Sequence, residues 1–231
     1  MNSNLETLEK HENPYLADCG ALAVWHRTLY VTSASNDCVL GFDLQDNRFN
    51  WAMQVQRKNF KYKAMLFNPC KDEGPLGINK LGINNVSCFT GGMHISGEHT
   101  QGLLHYNGEK IRMSVELPFG SYNAKAFRNG VLFNDSLAGA LRYSSRIETE
   151  DRARPVPGFE RKTCVQEGLS RELTPFPGFA RGLAALSDSI VVSGVSPATL
   201  LVHELQSNET IGSVTLSQNA SEVIHSITPV L

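Results

Sequence analysis

The chain has 231 residues, of which 41% are hydrophobic and 19% charged, so it can bury a large core as one all-β domain or as two smaller domains. Its formal net charge is -2, and this balance gives no reason to expect nucleic acid or an anionic membrane as a partner.

The apolar runs, the first residues and the cysteines of the sequence indicate the cellular compartment that we expect for the protein. No apolar run is long enough to span a membrane, and residues 1–6 lack the basic and apolar regions of a secretory signal. The cysteines are odd in number and form no Cys-x-x-Cys pair, which favours reduced thiols over disulfides or zinc. We therefore expect a cytoplasmic protein. The cysteines are Cys19, Cys38, Cys70, Cys88 and Cys164.

A four-strand pattern opens the chain and returns near its end. The first copy predicts strands at residues 19–24, 28–32, 38–44 and 48–53, and the last copy predicts strands at residues 181–186, 189–193, 199–205 and 210–216. A repeated four-stranded unit is typical of a β-propeller blade. We therefore predict an all-β fold of the β-propeller class.

Two weaker copies lie between these. The second is predicted at residues 83–92, 102–106 and 110–117, with an Asn107-Gly108 hairpin turn, and the third at residues 122–127, 130–135 and 139–143. The middle of the second strand is assigned in the four copies to Tyr30, Phe89, Leu132 and Val191. Intervals of about 40 to 60 residues between these positions fit blades with loops of variable length.

The longer intervals predict two surface loops, at residues 58–78 and 144–179, because both are rich in Pro and Gly or in charge. The apolar strand positions are expected to pack between the sheets. They are Leu22, Val24, Leu29, Val31, Leu40, Phe42, Val131, Leu132, Leu183, Ile190, Val192, Leu200 and Val202.

The end of the chain bears on how the propeller closes. Residues 223–228 look like the opening strand of a fifth copy, after which the sequence stops. Either a fifth blade is completed imperfectly, or the ring is open, or the chain is a truncated form of a longer propeller. We predict four clear blades plus a partial or shared fifth, with an N-terminal segment at residues 1–15 and a single propeller domain at residues 16–231.

Several short phrases carry a family resemblance. Residues 176–184, 191–196 and 223–227 resemble the closing part of an uncharacterised bacterial family of six-bladed β-propellers, and residues 32–41 and 79–86 resemble its middle blades. The resemblance covers residues 16–231 and implies that this chain is a shortened member.

The resemblance also carries departures. The family often has His at blade openings that match Cys19-Gly20, Asn84-Asn85 and Tyr122-Asn123, whereas this chain keeps His only at His225. If the activity of the family relies on those histidines, the resemblance implies a weakened or absent activity here.

The start of each inner strand points at the central channel, which makes these positions the candidate ligand-binding set. The set comprises Asn85 or its neighbour Asn84, Asn123, Arg181 and His225, with Cys19 in the first copy. Three interpretations are open: a divalent cation held by amide and imidazole groups, an anion held by the Arg181 fork, or polar groups that only satisfy the strand ends. Since no carboxylate stands at these starts, we expect no metal or other cofactor.

A second group of polar residues clusters in sequence without predicting a site. His94, Glu98, His99 and His105 are interpreted as solvated residues of a mobile hairpin loop, because Gly91-Gly92 and Gly97 flank them. No phosphate loop, dinucleotide fingerprint, zinc pattern or nucleophile elbow occurs.

Two functions follow from these patterns. The favoured one is a non-catalytic binding module that presents residues 58–78 and 144–179 to a protein or a small anionic ligand. The alternative is a metal-assisted, lactonase-like hydrolase or lyase that uses Asn85, Asn123, Arg181 and His225 at the channel.

Overall fold

The computed structural model of the protein describes residues 9–59, 61–77, 79–147, 151–155, 180–219 and 222–229. These residues form 17 β-strands in four antiparallel sheets and no helix. No described part of the chain therefore forms a helix of the length and apolar character needed to cross a membrane.

Each sheet is a meander in which strands that follow one another in sequence are paired. Sheet 1 contains β1 (Cys19–Trp25), β2 (Thr28–Ser33), β3 (Cys38–Asp43), β4 (Arg48–Lys58) and β5 (Lys61–Phe67). Sheet 2 contains β6 (Ile83–Phe89), β7 (Gly92–Gly97), β8 (Gly102–Tyr106) and β9 (Ile111–Glu116). Sheet 3 contains β10 (Ser121–Phe127), β11 (Gly130–Asp135), β12 (Ala140–Ser145) and β13 (Arg152–Pro155). Sheet 4 contains β14 (Ala180–Ala185), β15 (Ile190–Val195), β16 (Thr199–Glu204) and β17 (Glu209–Thr215).

The first strands of the four sheets contact one another in succession: β1 contacts β6, β6 contacts β10, and β10 contacts β14. These are the inner strands, and the sheets stack face to face behind them. Sequential four-stranded meanders arranged in this way form a β-propeller. The predicted all-β propeller class is confirmed.

Apolar side chains fill the spaces between neighbouring sheets. The core between sheets 1 and 2 includes Val39, Met53, Val55, Ile83, Val86, Ile95 and Leu104. The core between sheets 2 and 3 includes Leu103, Leu117, Ala124, Val131 and Phe133. The core between sheets 3 and 4 includes Leu132, Leu141, Tyr143, Leu183 and Val191. Each sheet thus buries apolar residues against the next, as the alternating strand pattern requires.

Sheet 1 contains a fifth strand, β5, in a segment that was predicted to be a loop. β4 continues to Lys58 and pairs with β5 over residues that were expected to form the loop at 58–78. Tyr62 and Ala64 of β5 pack against the core shared with sheet 2. Burial of these alternate side chains explains why the segment is a strand.

The second strand of sheet 2 also differs from its predicted position. Phe89 ends β6, and the second strand is β7, whose central residues are His94 and Ile95. The prediction of a mobile loop around His94 was therefore wrong. Gly92, with φ of 126°, begins β7 directly after the two-residue turn that follows β6.

One face of sheet 1 packs against no other sheet in the described residues. The N-terminal segment covers its outer part, where Tyr15 joins the cluster of Leu40, Phe42 and Phe49. On β1 of this face, Leu22 and Val24 are 61% and 63% exposed. Their assignment to the core was wrong, because no neighbouring sheet covers the inner end of this face.

Residues 222–229 lie in no strand but pack against sheet 4. The Ala198 amide donates to the Glu222 carbonyl at 3.0 Å. A Cβ atom added at Gly194 would lie 2.5 Å from Ile224, so the glycine makes room for this segment. The partial fifth unit is thus present as a packed segment without strand pairing in this stretch.

Leu40 and Leu22 provide a test of the packing, because both lie on the same face of sheet 1 and differ in burial. Replacing the fully buried Leu40 by Ala should lower the free energy of unfolding by about 2 to 5 kcal/mol through loss of packing. The same change at the exposed Leu22 should cost within about 0.5 kcal/mol. Urea denaturation followed by tryptophan fluorescence measures both, and equal losses would contradict this account of the free face.

Candidate functional site

The upper face of the propeller is the side at which the inner strands begin. The connections after the second strands lie on this side, since Ala34 donates to the Asp18 carbonyl and Ser136 donates to the Gly120 carbonyl. Each inner strand has a register shift near its start. The shifts fall between Cys19 and Leu22, Ile83 and Asn85, Tyr122 and Lys125, and Ala180 and Leu183. All four sheets therefore have a bulge at the same place, beside the channel.

The asparagines of β6 use this bulge to join sheets 2 and 3. The Asn84 side chain donates to the Ser121 carbonyl at 3.2 Å and accepts from the Asn123 amide at 3.2 Å. The Asn85 side chain donates to the Ala124 carbonyl at 2.8 Å. Both side chains are buried, so their amide groups satisfy backbone groups of the neighbouring inner strand.

Asn123 joins sheets 3 and 4 in a related way. Its side-chain oxygen accepts from the Gly182 amide at 2.7 Å, and the Asn134 amide group donates to the Gly182 carbonyl at 3.2 Å. Asn123 has φ of 55° and Gly182 has φ of 78°, a backbone region that suits asparagine and glycine. The predicted asparagines are therefore brought together at the channel and connect neighbouring sheets there.

Arg181 is the second residue of β14, one position from the strand start at which it was predicted. Its guanidinium carbon lies 5.0 Å from the centre of the Tyr122 ring, a cation–π distance. The Tyr122 hydroxyl donates to the Glu98 carboxylate. Arg181, Tyr122 and Glu98 therefore form a chain of contacts from sheet 4 through sheet 3 to sheet 2. Glu98 was not among the predicted channel residues.

Burial raises the pKa of Tyr122 to about 12, and the hydrogen bond to Glu98 and the charge of Glu98 act in the same direction. The positive charge of Arg181 opposes the shift. Removing the Tyr122 proton would leave two negative charges in contact, so the neutral phenol is favoured.

The other predicted channel residues lie at the surface. His225 is exposed within the segment 222–229, next to Ile224, which contacts Gly182 and Gly194. Cys19 is exposed at the start of β1, and the four described cysteines form no disulfide. Ligand binding by Asn85, Asn123, Arg181 and His225 stays a prediction, and their contacts do not favour the hydrolase alternative.

His94 and His105 face each other on β7 and β8. The Phe89 ring stacks on His94 at 4.6 Å between centroids and lies 5.4 Å from His105. Burial lowers the pKa of His94, and the neighbouring His105 contributes. No group of three His, Cys, Asp or Glu side chains in the described ranges is arranged to hold a metal ion, and absence of a cofactor stays a prediction.

A cleft of about 720 Å³ opens on the upper face between sheets 1 and 2. This cleft was not predicted from the sequence. Its walls come from the end of β4 and from three loops at residues 79–82, 98–101 and 117–120. The lining residues are Asp37, Gln54, Val55, Gln56, Arg57, Lys58, Lys80, Leu81, His99, Gln101 and Phe119.

Asp37 fixes one wall of this cleft. Its buried carboxylate accepts hydrogen bonds from the backbone amides of Lys80, Leu81 and Gly82 at 2.8 to 3.1 Å. Burial raises the pKa of Asp37, while these backbone hydrogen bonds oppose the rise. The loop that precedes β6 is therefore held against sheet 1 by one side chain.

The β4–β5 hairpin forms another wall and is fastened to sheet 2. The Tyr62 hydroxyl donates to the Thr100 carbonyl, and the Arg57 guanidinium donates to the Gln101 side chain at 2.9 Å. Beyond them, His99 stacks on the half-exposed Phe119 at 4.7 Å between ring centroids. The cleft thus has a cationic end at the hairpin and an aromatic end.

A sequence signal for this wall does exist. In residues 61–64 the alternation of Lys61, Tyr62, Lys63 and Ala64 has the period of a half-buried strand. The contacts of Asp37 with residues 80–82 span more than 40 positions, and no local pattern marks them.

No protein-family model matches the sequence, and no curated protein sequence matches it. Among solved structures, the chain is similar to the β-propeller domain of Myceliophteria thermophila Cps50 (Swd1), with a TM-score of 0.51 and 10% identity over 91% of this chain and 58% of that chain. It is also similar to the computationally designed Ika8 protein, with a TM-score of 0.47 and 14% identity over 91% of this chain and 64% of that chain. The chain spans less than two thirds of either structure. The similarity to Cps50 shows the fold, a β-propeller, and the resemblance to the bacterial family stays a prediction.

Asn123 tests the connection between sheets 3 and 4. Replacing it by Gly keeps a residue suited to the positive φ and removes the acceptor for the buried Gly182 amide, so stability should fall by about 1 to 3 kcal/mol. Asn123→Ala should lose about 1 kcal/mol more through backbone strain. The control is Asn59→Gly, which changes an exposed asparagine with φ of 50°. Urea unfolding measures all three, and an Asn123→Gly variant as stable as the control would refute the connection.

Tyr122 predicts a pH dependence of stability. Its folded pKa of about 12 lies above the unfolded value near 10, so its contribution is complete below about pH 10 and is lost as pH rises toward 12. Tyr122→Phe should therefore fall less steeply in stability over that window than the native protein. Chemical denaturation at several pH values measures the difference, and parallel profiles would count against the shifted pKa.

Proposed function

We propose that this protein is a non-catalytic binding module that holds its ligand in the cleft between sheets 1 and 2. The observation that carries the proposal is the cleft itself, with a volume of about 720 Å³ on the upper face. This volume lies within the range of about 300 to 1,000 Å³ that is usual for sites of small ligands.

The walls of the cleft are held in place by contacts that do not involve a ligand. Asp37 fixes the loop at residues 79–82, and Tyr62 fastens the hairpin to the loop at residues 98–101. A site whose walls are already positioned loses less conformational entropy on binding. The arrangement therefore supports a binding role for this part of the propeller.

The channel offers less to a ligand. The Asn84, Asn85 and Asn123 side chains are buried and hydrogen-bonded to neighbouring inner strands. The favoured sequence prediction placed binding on residues 58–78 and 144–179. The hairpin belongs to the first of these ranges. In the second range, the prediction of a loop was wrong where β12 ends and where β13 pairs with it, and residues 148–150 and 156–179 lie outside the described residues.

A cleft-filling variant tests the proposal. Gln56 lines the cleft, and Lys63 is its cross-strand partner on β5 but does not line it. A protein-observed NMR screen with neutral, cationic and anionic fragments should produce hits that shift the backbone amides of Arg57, Lys80 and Gln101. Gln56→Trp should abolish these shifts, and the matched control Lys63→Trp should retain them.

The screen also has clear negative results. A screen without hits at the three walls, or with hits that cluster around Arg181 and His225, would reject the cleft as the binding site. The two-dimensional spectrum of each variant shows whether the fold is retained.

A further inference from the structure

The hairpin that forms one wall of the cleft carries a dense positive charge. Within residues 57–63 there are four cationic residues and no acidic one. They are Arg57, Lys58, Lys61 and Lys63. The whole chain has a formal net charge of -2, so this concentration is local and does not reflect a generally basic protein.

The pairing of the hairpin places like charges together. Lys58 and Lys61 are directly opposite each other next to the turn, and both are exposed. Like charges directly opposite on paired strands destabilise the sheet. An anion bound beside them would relieve this repulsion.

Lys80 adds a third lining cation from the loop at residues 79–82. The Lys80 backbone amide donates a hydrogen bond to the Asp37 carboxylate at 2.8 Å. This bond fixes the backbone of Lys80 at the cleft wall. No salt bridge joins Lys58 or Lys80 to a carboxylate within the described ranges. Lys58 and Lys80, together with Arg57, are the cationic lining of the cleft.

The nearby carboxylates are oriented toward other groups. Asp37, the acidic residue in the described lining, is 4% exposed and accepts backbone amide hydrogen bonds. Glu98 precedes the lining residue His99, lies 3.8 Å from its ring nitrogen and accepts the Tyr122 hydroxyl. Within the described residues, Lys58 and Lys80 therefore line the cleft without an ion pair to a carboxylate.

We propose that the cleft binds a small anion with at least two negative charges, whose phosphate or carboxylate groups lie between the hairpin and Lys80. This inference rests on the proposed function and specifies the ligand of the same site. Lysine ammonium groups act as point charges, while the arginine fork matches planar or tetrahedral oxyanions. Cations from β4 and from the loop at residues 79–82 line the same cleft, which suits an anion with charge at more than one position.

Calorimetric titration with inorganic pyrophosphate and with citrate tests this proposal at about 20 mM salt, where charge interactions are weakly screened. The two probes distinguish phosphate from carboxylate groups as the preferred chemistry. We expect at least one of them to bind the native protein. Lys58→Ala/Lys80→Ala should weaken that binding about tenfold or more, because two charge-assisted contacts are lost.

A control variant that loses the same number of positive charges distinguishes binding at this site from general electrostatic attraction to the protein. Lys71→Ala/Lys110→Ala also removes two exposed lysines, but neither belongs to the hairpin or lines the cleft, and its affinity should stay within about twofold of native. Lys58→Arg/Lys80→Arg keeps the charge and should retain binding. Equal losses in the two alanine variants, or no binding of either probe, would overturn the proposal.

The two experiments together distinguish a failure of the anion proposal from a failure of the proposed binding function. If neutral fragments shift the cleft amides while both anions fail to bind, the binding site stands and the anionic ligand is wrong. If neither fragments nor anions bind in the cleft, the proposed function fails as well.

Discussion

Side-chain amides at the bulges of the inner strands are the interaction on which the rest of this structure depends. Each bulge takes backbone groups out of regular pairing beside the channel, and Asn84, Asn85 and Asn123 supply partners for groups of the neighbouring sheet. Because backbone strand pairing is confined to each sheet, apolar packing alone would leave the relative position of the sheets less well defined. The amides fix that position between sheets 2 and 3 and between sheets 3 and 4, and apolar cores fill the spaces between all neighbouring sheets.

This arrangement explains why the polar residues of the channel and those of the proposed binding cleft are different sets. Residues that hold the sheets together are buried and hydrogen-bonded to backbone groups. The cleft lies outside that ring, where the long β4–β5 hairpin reaches across to sheet 2. Polar groups at the inner strands therefore have a structural function, while the proposed binding function belongs to polar groups on the hairpin and loops at the surface. Binding residues are commonly placed on loops of a stable scaffold.

The two end sheets show what stacking requires. Sheets 2 and 3 are covered on both faces, whereas one face of sheet 1 is covered partly by the segment that contains Tyr15 and one face of sheet 4 partly by residues 222–229. Sequence alternation marked Leu22 and Val24 as core because it reports only that a strand has an apolar face. Whether a neighbour covers that face depends on the number and order of sheets, which is a property of the assembled fold.

The sequence by itself determined the all-β class, the four-strand repeat and the place of Asn85, Asn123 and Arg181 on the inner strands, because period-two alternation and turn residues are local signals. It also located β3, β11 and β16 within a residue or two at their ends. Only the tertiary structure decided that the asparagine amides join sheets, that Glu98 meets Tyr122, and that Asp37 and Lys80 lie at one cleft. These contacts join residues 24 to 59 positions apart, and their partners are set by how sheets stack, which no local pattern encodes.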